Sequence, residues 1–293
     1  MNNHSLQEEY YTMSVKFFSR TVLVALVALT LGFFFACGDS SPKTKVVIKG
    51  STTVLPVTLK AIESYKKVKK DVAISVEGSG SGNGIKALLD GACDIANSSR
   101  AMKKEEKESA EKASLKIREI AVAYDMIVPI VHPSNPITKL TKDQLKGIYE
   151  GNITSWKQLG GADEPIIVVS RDTSSGTYEY WHEDVMKKTD VKKDALTQAS
   201  NGAIVTTVAG NPKAIGYIGF GYLKKDSNVK GLLVNDVEPT IDHGKSGKYP
   251  ISRKLFMYVN EAKMSDATKG FVDYLLGDEG QKLVAEAGFI PIK

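Results

Sequence analysis

Residues 117–132 read IREIAVAYDMIVPIVH, an apolar run broken only by Arg118, Glu119 and Asp125 before its final histidine. Strands average about 5–6 residues, so the run is too long for one ordinary strand. It predicts a segment that leaves one sheet and enters another, crossing near residues 124–126. Before it lie the strand-like runs KVVIKG (45–50), DVAISVEG (71–78) and CDIANSS (93–99). After it come PIIVVSR (165–171), AIGYIGF (214–220) and KLFMYVN (254–260), and helix-like runs separate nearly all of these strands. That alternation predicts an α/β fold with mainly parallel sheet. If the chain crosses back around KLFMYVN, residues 45–124 with 256–293 form one lobe and residues 125–255 the other. Between them lie a hinge and a ligand cleft.

The 293 residues carry 39 Lys and Arg against 34 Asp and Glu, with 42% hydrophobic and 25% charged residues, the proportions of an ordinary globular chain rather than a disordered or multi-span one. The formal net charge of +5 comes mostly from scattered lysines. No basic block interleaved with aromatics is present, so nucleic acid is not expected as a partner.

TVLVALVALTLGFFFA (21–36) follows Lys16 and Arg20 and precedes Cys37-Gly38-Asp39-Ser40-Ser41. A basic flank, an apolar core and a small residue before the cut predict a signal peptide over residues 1–36. Cleavage before Cys37 resembles a bacterial lipoprotein signal, which implies a lipidated Cys37 and a linker over residues 37–44. Phe34 and Phe35 are bulkier than that signal favours, and Glu8 and Glu9 make Met13 an alternative start. A retained anchor helix is the competing reading. With Cys37 lipidated only Cys93 remains, so no internal disulfide is expected.

What precedes the helices is more telling. Gly50-Ser51-Thr52-Thr53, Gly78-Ser79-Gly80-Ser81-Gly82-Asn83-Gly84, Ser98-Ser99-Arg100 and Ser170-Arg171-Asp172-Thr173-Ser174-Ser175-Gly176-Thr177 each stand between a strand and a predicted helix. A helix N-terminus has unpartnered N–H groups and partial positive charge. Ser and Thr add hydroxyl donors, and Gly lets backbone approach closely. One such turn is ordinary N-capping. Several at the carboxyl ends of strands can converge on one anion.

The arginines are few: Arg20, Arg100, Arg118, Arg171 and Arg253. A guanidinium matches a tetrahedral oxyanion with a planar fork and stays charged when buried. Arg100 and Arg171, inside the turns, are the ligand candidates. Arg118 and Arg253 are expected to be structural or on the surface.

GSTTVLPV, EGSGSGNGIKALLDGACDIANSSR, YEGNITSWKQLGG, SRDTSSGTYEYW, AIGYIGFGYL and FVDYLLGDEGQKLVAEAGFIPI together resemble the periplasmic phosphate-binding proteins of ABC importers across nearly the whole mature chain. The resemblance implies a two-lobed periplasmic binding protein fold that binds inorganic phosphate between its lobes and delivers it to a membrane permease. It implies an exported, lipid-anchored protein, expected to act as a monomer. By the same resemblance Thr52 and the backbone N–H of Thr53 bind the anion with Ser51 close by, Ser81 joins from the second turn, and Arg171, Ser175, Gly176 and Thr177 from the last. Ser99 departs from the better-known members, which place there an aspartate that accepts the proton of hydrogen phosphate. Either another acid takes that role or selectivity is looser. Asp172 is one candidate, and equally a partner for Arg171 or a turn residue.

Another tetrahedral oxyanion such as sulfate or molybdate, or a phosphate-sensing lipoprotein, are the alternatives. An exported phosphatase is the rival among enzymes. GSGSGNG does not satisfy G-x-G-x-x-G, and neither G-x-x-x-x-G-K-[ST] nor G-x-S-x-G occurs. His4, His132, His182 and His243 lack metal-ligand spacing. No catalytic residue, metal or cofactor is therefore expected.

Overall fold

The computed structural model describes residues 44–224 and 226–293. The leader, Cys37 and the linker up to residue 43 lie outside the described residues. In chain order the elements are β1 (Thr44–Gly50), α1 (Leu55–Val68), β2 (Val72–Gly78), α2 (Ser81–Leu89), β3 (Ile95–Ser98), α3 (Lys104–Lys112) and β4 (Ile117–Val131). There follow β5 (Lys139–Leu140), α4 (Lys142–Glu150), β6 (Ile167–Arg171), α5 (Gly176–Asp184), β7 (Leu196–Gln198), α6 (Asn201–Ala209) and β8 (Ala214–Gly219). The chain ends with β9 (Lys230–Gly231), β10 (Leu233–Val234), α7 (Ile241–Lys245), β11 (Ser252–Asn260), α8 (Asp266–Leu276) and α9 (Asp278–Glu286).

The main sheet runs β2-β1-β3-β11-β4-β8-β6-β7. β1 pairs in parallel with β2 and β3, and β6 in parallel with β8 and β7. Its centre is antiparallel, contrary to the mainly parallel sheet expected, because an outgoing and a returning strand must run in opposite directions. β4 is one continuous strand of 15 residues. It pairs with β11 from Ile117↔Asn260 to Met126↔Ser252, then with β8 from Ile127↔Gly219 to Val131↔Ile215. Its partner changes between Met126 and Ile127. A register shift at Leu255/Phe256 in β11 marks the same region.

Apolar burial divides at this exchange. One cluster gathers Val46, Ile48, Ile120, Val122, Leu255, Phe271 and Phe289. Another gathers Ile127, Val128, Ile130, Trp181, Tyr217, Tyr249 and Ile251. Trp181 stacks on Tyr217 at 4.3 Å between ring centroids. Each large apolar side chain fully buried in this way contributes about 1.5–3 kcal/mol. The fold is thus α/β and two-lobed, with β4 contributing to both clusters.

The helix-like run 267–288 is two helices rather than one. Gly277, with φ −72° and ψ 172°, breaks it in extended conformation. α9 then turns so closely on α8 that a Cβ at Gly280 would lie 2.3 Å from the carbonyl oxygens of Tyr274 and Leu275. Cys93 is buried, and burial pushes its thiol up to about 11, which leaves it neutral and unpaired.

α2 is seated on β1 through glycine. A Cβ at Gly84 would fall 2.5 Å from the Gly50 Cα and 2.7 Å from the Lys49 carbonyl oxygen. Since that neighbour is backbone, Gly84→Ala must displace the start of α2, at a cost of about 1–3 kcal/mol. A thermal melt should show a midpoint several degrees lower; an unchanged midpoint would mean that the contact relaxes freely.

Candidate functional site

The turns converge. Ser51, Thr52, Thr53, Ser81, Ser99, Arg171, Ser175 and Thr177 are all buried. The Thr53 and Thr177 hydroxyls meet at 2.9 Å, although they lie on turns 124 residues apart. The Ser81 and Ser99 hydroxyls meet at 3.3 Å, and Ser99 lies 3.5 Å from Thr177. Gly176 closes the group, because a Cβ there would stand 2.4 Å from the Ser81 oxygen and 2.9 Å from that of Ser99. Backbone locks the turns together: the Gly82 N–H donates to the Ser174 carbonyl at 2.9 Å.

Several sequence expectations need correction. The Thr53 N–H donates to Ser51 Oγ at 3.1 Å, so this N–H closes its own turn while the Thr53 hydroxyl faces the cluster. The third turn stands between β3 and α3, as expected, but supplies no cap to that helix. α3 begins only at Lys104, and the Glu106 carboxylate caps it by accepting from the Lys103 N–H at 2.8 Å. Ser175 is an ordinary N-cap, accepting from the Tyr178 N–H at 3.2 Å.

Arg100 is not a free cation. Its two terminal nitrogens donate to Glu106 at 2.7 Å each, and its Nε contacts Glu179, which Lys103 also pairs at 2.5 Å. Two carboxylates already hold it, so its charge is spent in joining the third turn to α5. Arg118 is half-exposed beside Glu261, as expected. Arg253, expected to be structural or on the surface, is buried in the site: its Nη2 donates to Thr177 Oγ1 at 3.0 Å and to Asp125 Oδ2 at 2.8 Å. Asp172 accepts from the Ser174 N–H at 2.9 Å and from its hydroxyl, and stands 3.8 Å from Arg171. It is a turn residue.

Three site residues escape the sequence reading: Asp125, Asn201 and Arg253. Asn201, first residue of α6, donates to the Thr53 hydroxyl at 3.0 Å and the Thr52 hydroxyl at 3.2 Å, while its carbonyl oxygen accepts from the Gly219 N–H. Asp125 accepts from Arg253 and from the Phe220 N–H at 2.9 Å. Burial lifts its carboxyl above the usual carboxylate range, and Arg253 pulls it back down.

These bonds bias the cluster toward donation. Thr53 accepts from Asn201, and Thr177 accepts from Arg253. Whichever threonine donates to the other, one hydroxyl proton is left to point elsewhere. Ser81 likewise accepts from the Ser99 N–H at 3.1 Å. Arg171 gives its Nε to the Gln198 carbonyl and one terminal nitrogen to that of Ala199, both at 3.0 Å. Its Nη1 is buried without a protein partner. Burial also pulls the Arg171 guanidinium below its ordinary value. Tyr217, which accepts from the Arg171 N–H at 3.3 Å and meets the Ser170 hydroxyl at 2.9 Å, is pushed up to about 12 by burial and stays neutral. Such an arrangement of excess donors suits an anion with several acceptor oxygens. Among the described residues no cluster of His, Cys, Asp and Glu could hold a metal ion.

Gly176→Ala should therefore weaken anion binding by about tenfold or more, because the added methyl parts the last turn from Ser81 and Ser99. Titration calorimetry would check this, and wild-type affinity would show that the turns need not close.

Residues 38–279 match the family model described as a PBP superfamily domain. The chain is 32% identical to the phosphate-binding protein PstS of Borreliella burgdorferi, over 94% of this chain and 99% of the relative. It is 36% identical to that of Staphylococcus saprophyticus, over 88% of this chain and 85% of the relative. A crystal structure from Clostridium perfringens, described as a phosphate ABC transporter substrate-binding protein with bound phosphate, superposes with a TM-score of 0.80 at 38% identity, over 85% of this chain and all of that one. An ABC-type phosphate transport receptor from Vibrio cholerae gives 0.69 at 33% identity, over 84% of this chain and 99% of that one. The chain belongs to the PBP superfamily, among the substrate-binding proteins of phosphate ABC transporters.

Proposed function

We propose that the protein binds one inorganic phosphate between its lobes and hands it, unchanged, to the permease of an ABC importer. The observation that carries this reading is the surplus of buried donors around Thr53, Thr177, Ser81 and Ser99, together with the Arg171 Nη1, which is buried without a protein partner. Phosphate brings four oxygens and up to two negative charges to a cluster that has donors to spare. A micromolar site needs roughly 8 kcal/mol net, which several charge-assisted hydrogen bonds supply once desolvation and ordering are met. Ser51, Thr52, Thr53, Ser81, Ser99, Arg171, Ser175, Gly176 and Thr177 form the proposed phosphate shell, joined by Asn201 and Arg253. Arg100 serves it indirectly by holding Glu179.

The division of the apolar cores supports lobes of residues 45–124 with 256–293 and 125–255, hinged where β4 and β11 cross. Binding without chemistry fits the site: among the described residues no carboxylate or imidazole hydrogen-bonds the Thr53, Thr177, Ser81 or Ser99 hydroxyl to make it a nucleophile. An exported monomer tethered through a lipid on Cys37 accords with the leader, and no helix among the described residues is long and apolar enough to cross a membrane.

Titration calorimetry with phosphate, sulfate, arsenate and molybdate tests the reading. Phosphate should bind one to one, and Arg171→Ala should weaken it about 30- to 1,000-fold, the loss of roughly 2–4 kcal/mol of charged hydrogen bonding. No heat with any of the anions would exclude the oxyanion site, and stronger binding of sulfate would exclude the phosphate importer. For the anchor, Cys37→Ser should release the protein from membranes and abolish labelling by a fatty-acid analogue; retained labelling would place the lipid elsewhere.

A further inference from the structure

Arg171 and Arg253 are buried guanidinium groups that no pair of carboxylates neutralises; Arg253 bonds the hydroxyl cluster at Thr177, and Asp125 is the buried acid paired with Arg253. Arg253 and Asp125 face each other directly across the β4–β11 ladder, at the two places where the chain passes between lobes. Their side chains are 1% and 0% exposed. Arg253 holds Asp125 Oδ2 through both Nε, at 3.1 Å, and Nη2, at 2.8 Å, and the same Nη2 reaches Thr177 Oγ1. Its Nη1 lies 3.5 Å from the Gly176 carbonyl oxygen, at the start of α5. Tyr180 lies under the guanidinium at 5.9 Å. The Phe220 N–H occupies the other carboxylate oxygen. Asp125 is therefore fully engaged and acts on an anion at Thr177 through Arg253.

We infer that Asp125 sets the anion selectivity of the site, by cancelling the charge of Arg253 where it meets Thr177 so that the buried cluster offers the net charge of about one guanidinium. This rests on the phosphate-binding reading above. In a buried site an uncompensated second charge on the ligand is costly. Phosphate can shed that charge by keeping a proton, and sulfate at neutral pH has none to keep. Asp125 thus penalises the dianion that cannot protonate, without being a direct ligand of either anion. Asp125 is a positioning and charge-setting residue, and Thr177 transmits its effect.

The test is calorimetry with phosphate and with sulfate, at one pH and ionic strength, on the wild-type chain, Asp125→Asn and Arg253→Gln. Asp125→Asn should lower the phosphate-to-sulfate affinity ratio by about tenfold or more, with sulfate binding strengthened in absolute terms. Arg253→Gln removes the opposing charge and should raise the ratio, weakening sulfate more than phosphate. This second variant decides the matter if the first fails to fold. A residue that merely braces the hinge would weaken both anions by the same factor, so an unchanged ratio in the folded variants overturns the inference. Failure of the wild-type chain to bind phosphate would instead overturn the reading on which it rests.

Discussion

The outgoing strand β4 and the returning strand β11 must lie side by side where they pass from one lobe to the other, and a buried ion pair joins them there. Asp125 and Arg253 face each other across that ladder, with Arg253 reaching on to Thr177 in the anion-binding turn. Removing one partner of such a pair leaves an uncompensated buried charge, which costs about 3–5 kcal/mol. The strands at which β4 exchanges β11 for β8 therefore also carry charge to the hydroxyl cluster.

The hydroxyl cluster follows from this placement. Each turn satisfies part of its own backbone: Ser51 accepts from Thr53, and Ser175 accepts from Tyr178. What remains for a ligand is not the helix N-termini alone but side-chain protons released by incoming N–H donors, from Asn201 to Thr53 and from Arg253 to Thr177. A serine or threonine that already accepts from an amide or guanidinium is directed to donate. A chain of such residues turns neutral hydroxyls into a donor surface without adding net charge. Arg253 brings a charge that Asp125 offsets, and Arg171 one whose nearest carboxylate, Asp172, stands 3.8 Å away. Arg100, paired with Glu106 and Glu179, helps to hold the turns closed.

Much of this was legible in the chain. The alternation of strands and helices and the length of residues 117–132 carry the two-lobed α/β fold, and the small residues of the turns mark the hydroxyls that the fold brings together. An arginine within a Ser-Ser-Arg turn resembles a ligand in sequence, whereas in the structure Arg100 is held by Glu106, 6 residues on, and by Glu179 from a distant helix. Asp125 did carry a signal: it is the lone acid in AVAYDMIVPIV, and Arg253 is the only arginine after Arg171. Two opposite charges placed in the two strands expected to cross could have been matched as a pair. Asn201 carried none, since Ser200-Asn201 before an apolar helix reads as a cap, and Ser200 does cap it. The antiparallel centre of the sheet arises from pairing between distant segments, which local pattern does not encode.

The most direct test of the account is a crystal structure of the protein grown with phosphate. One phosphate should be enclosed between the lobes, within hydrogen-bond distance of Arg171 Nη1 and of hydroxyl or N–H groups in the turns at residues 51–53, 81, 99 and 175–177. A phosphate held elsewhere, or one whose oxygens leave Arg171 Nη1 unpartnered, would contradict it.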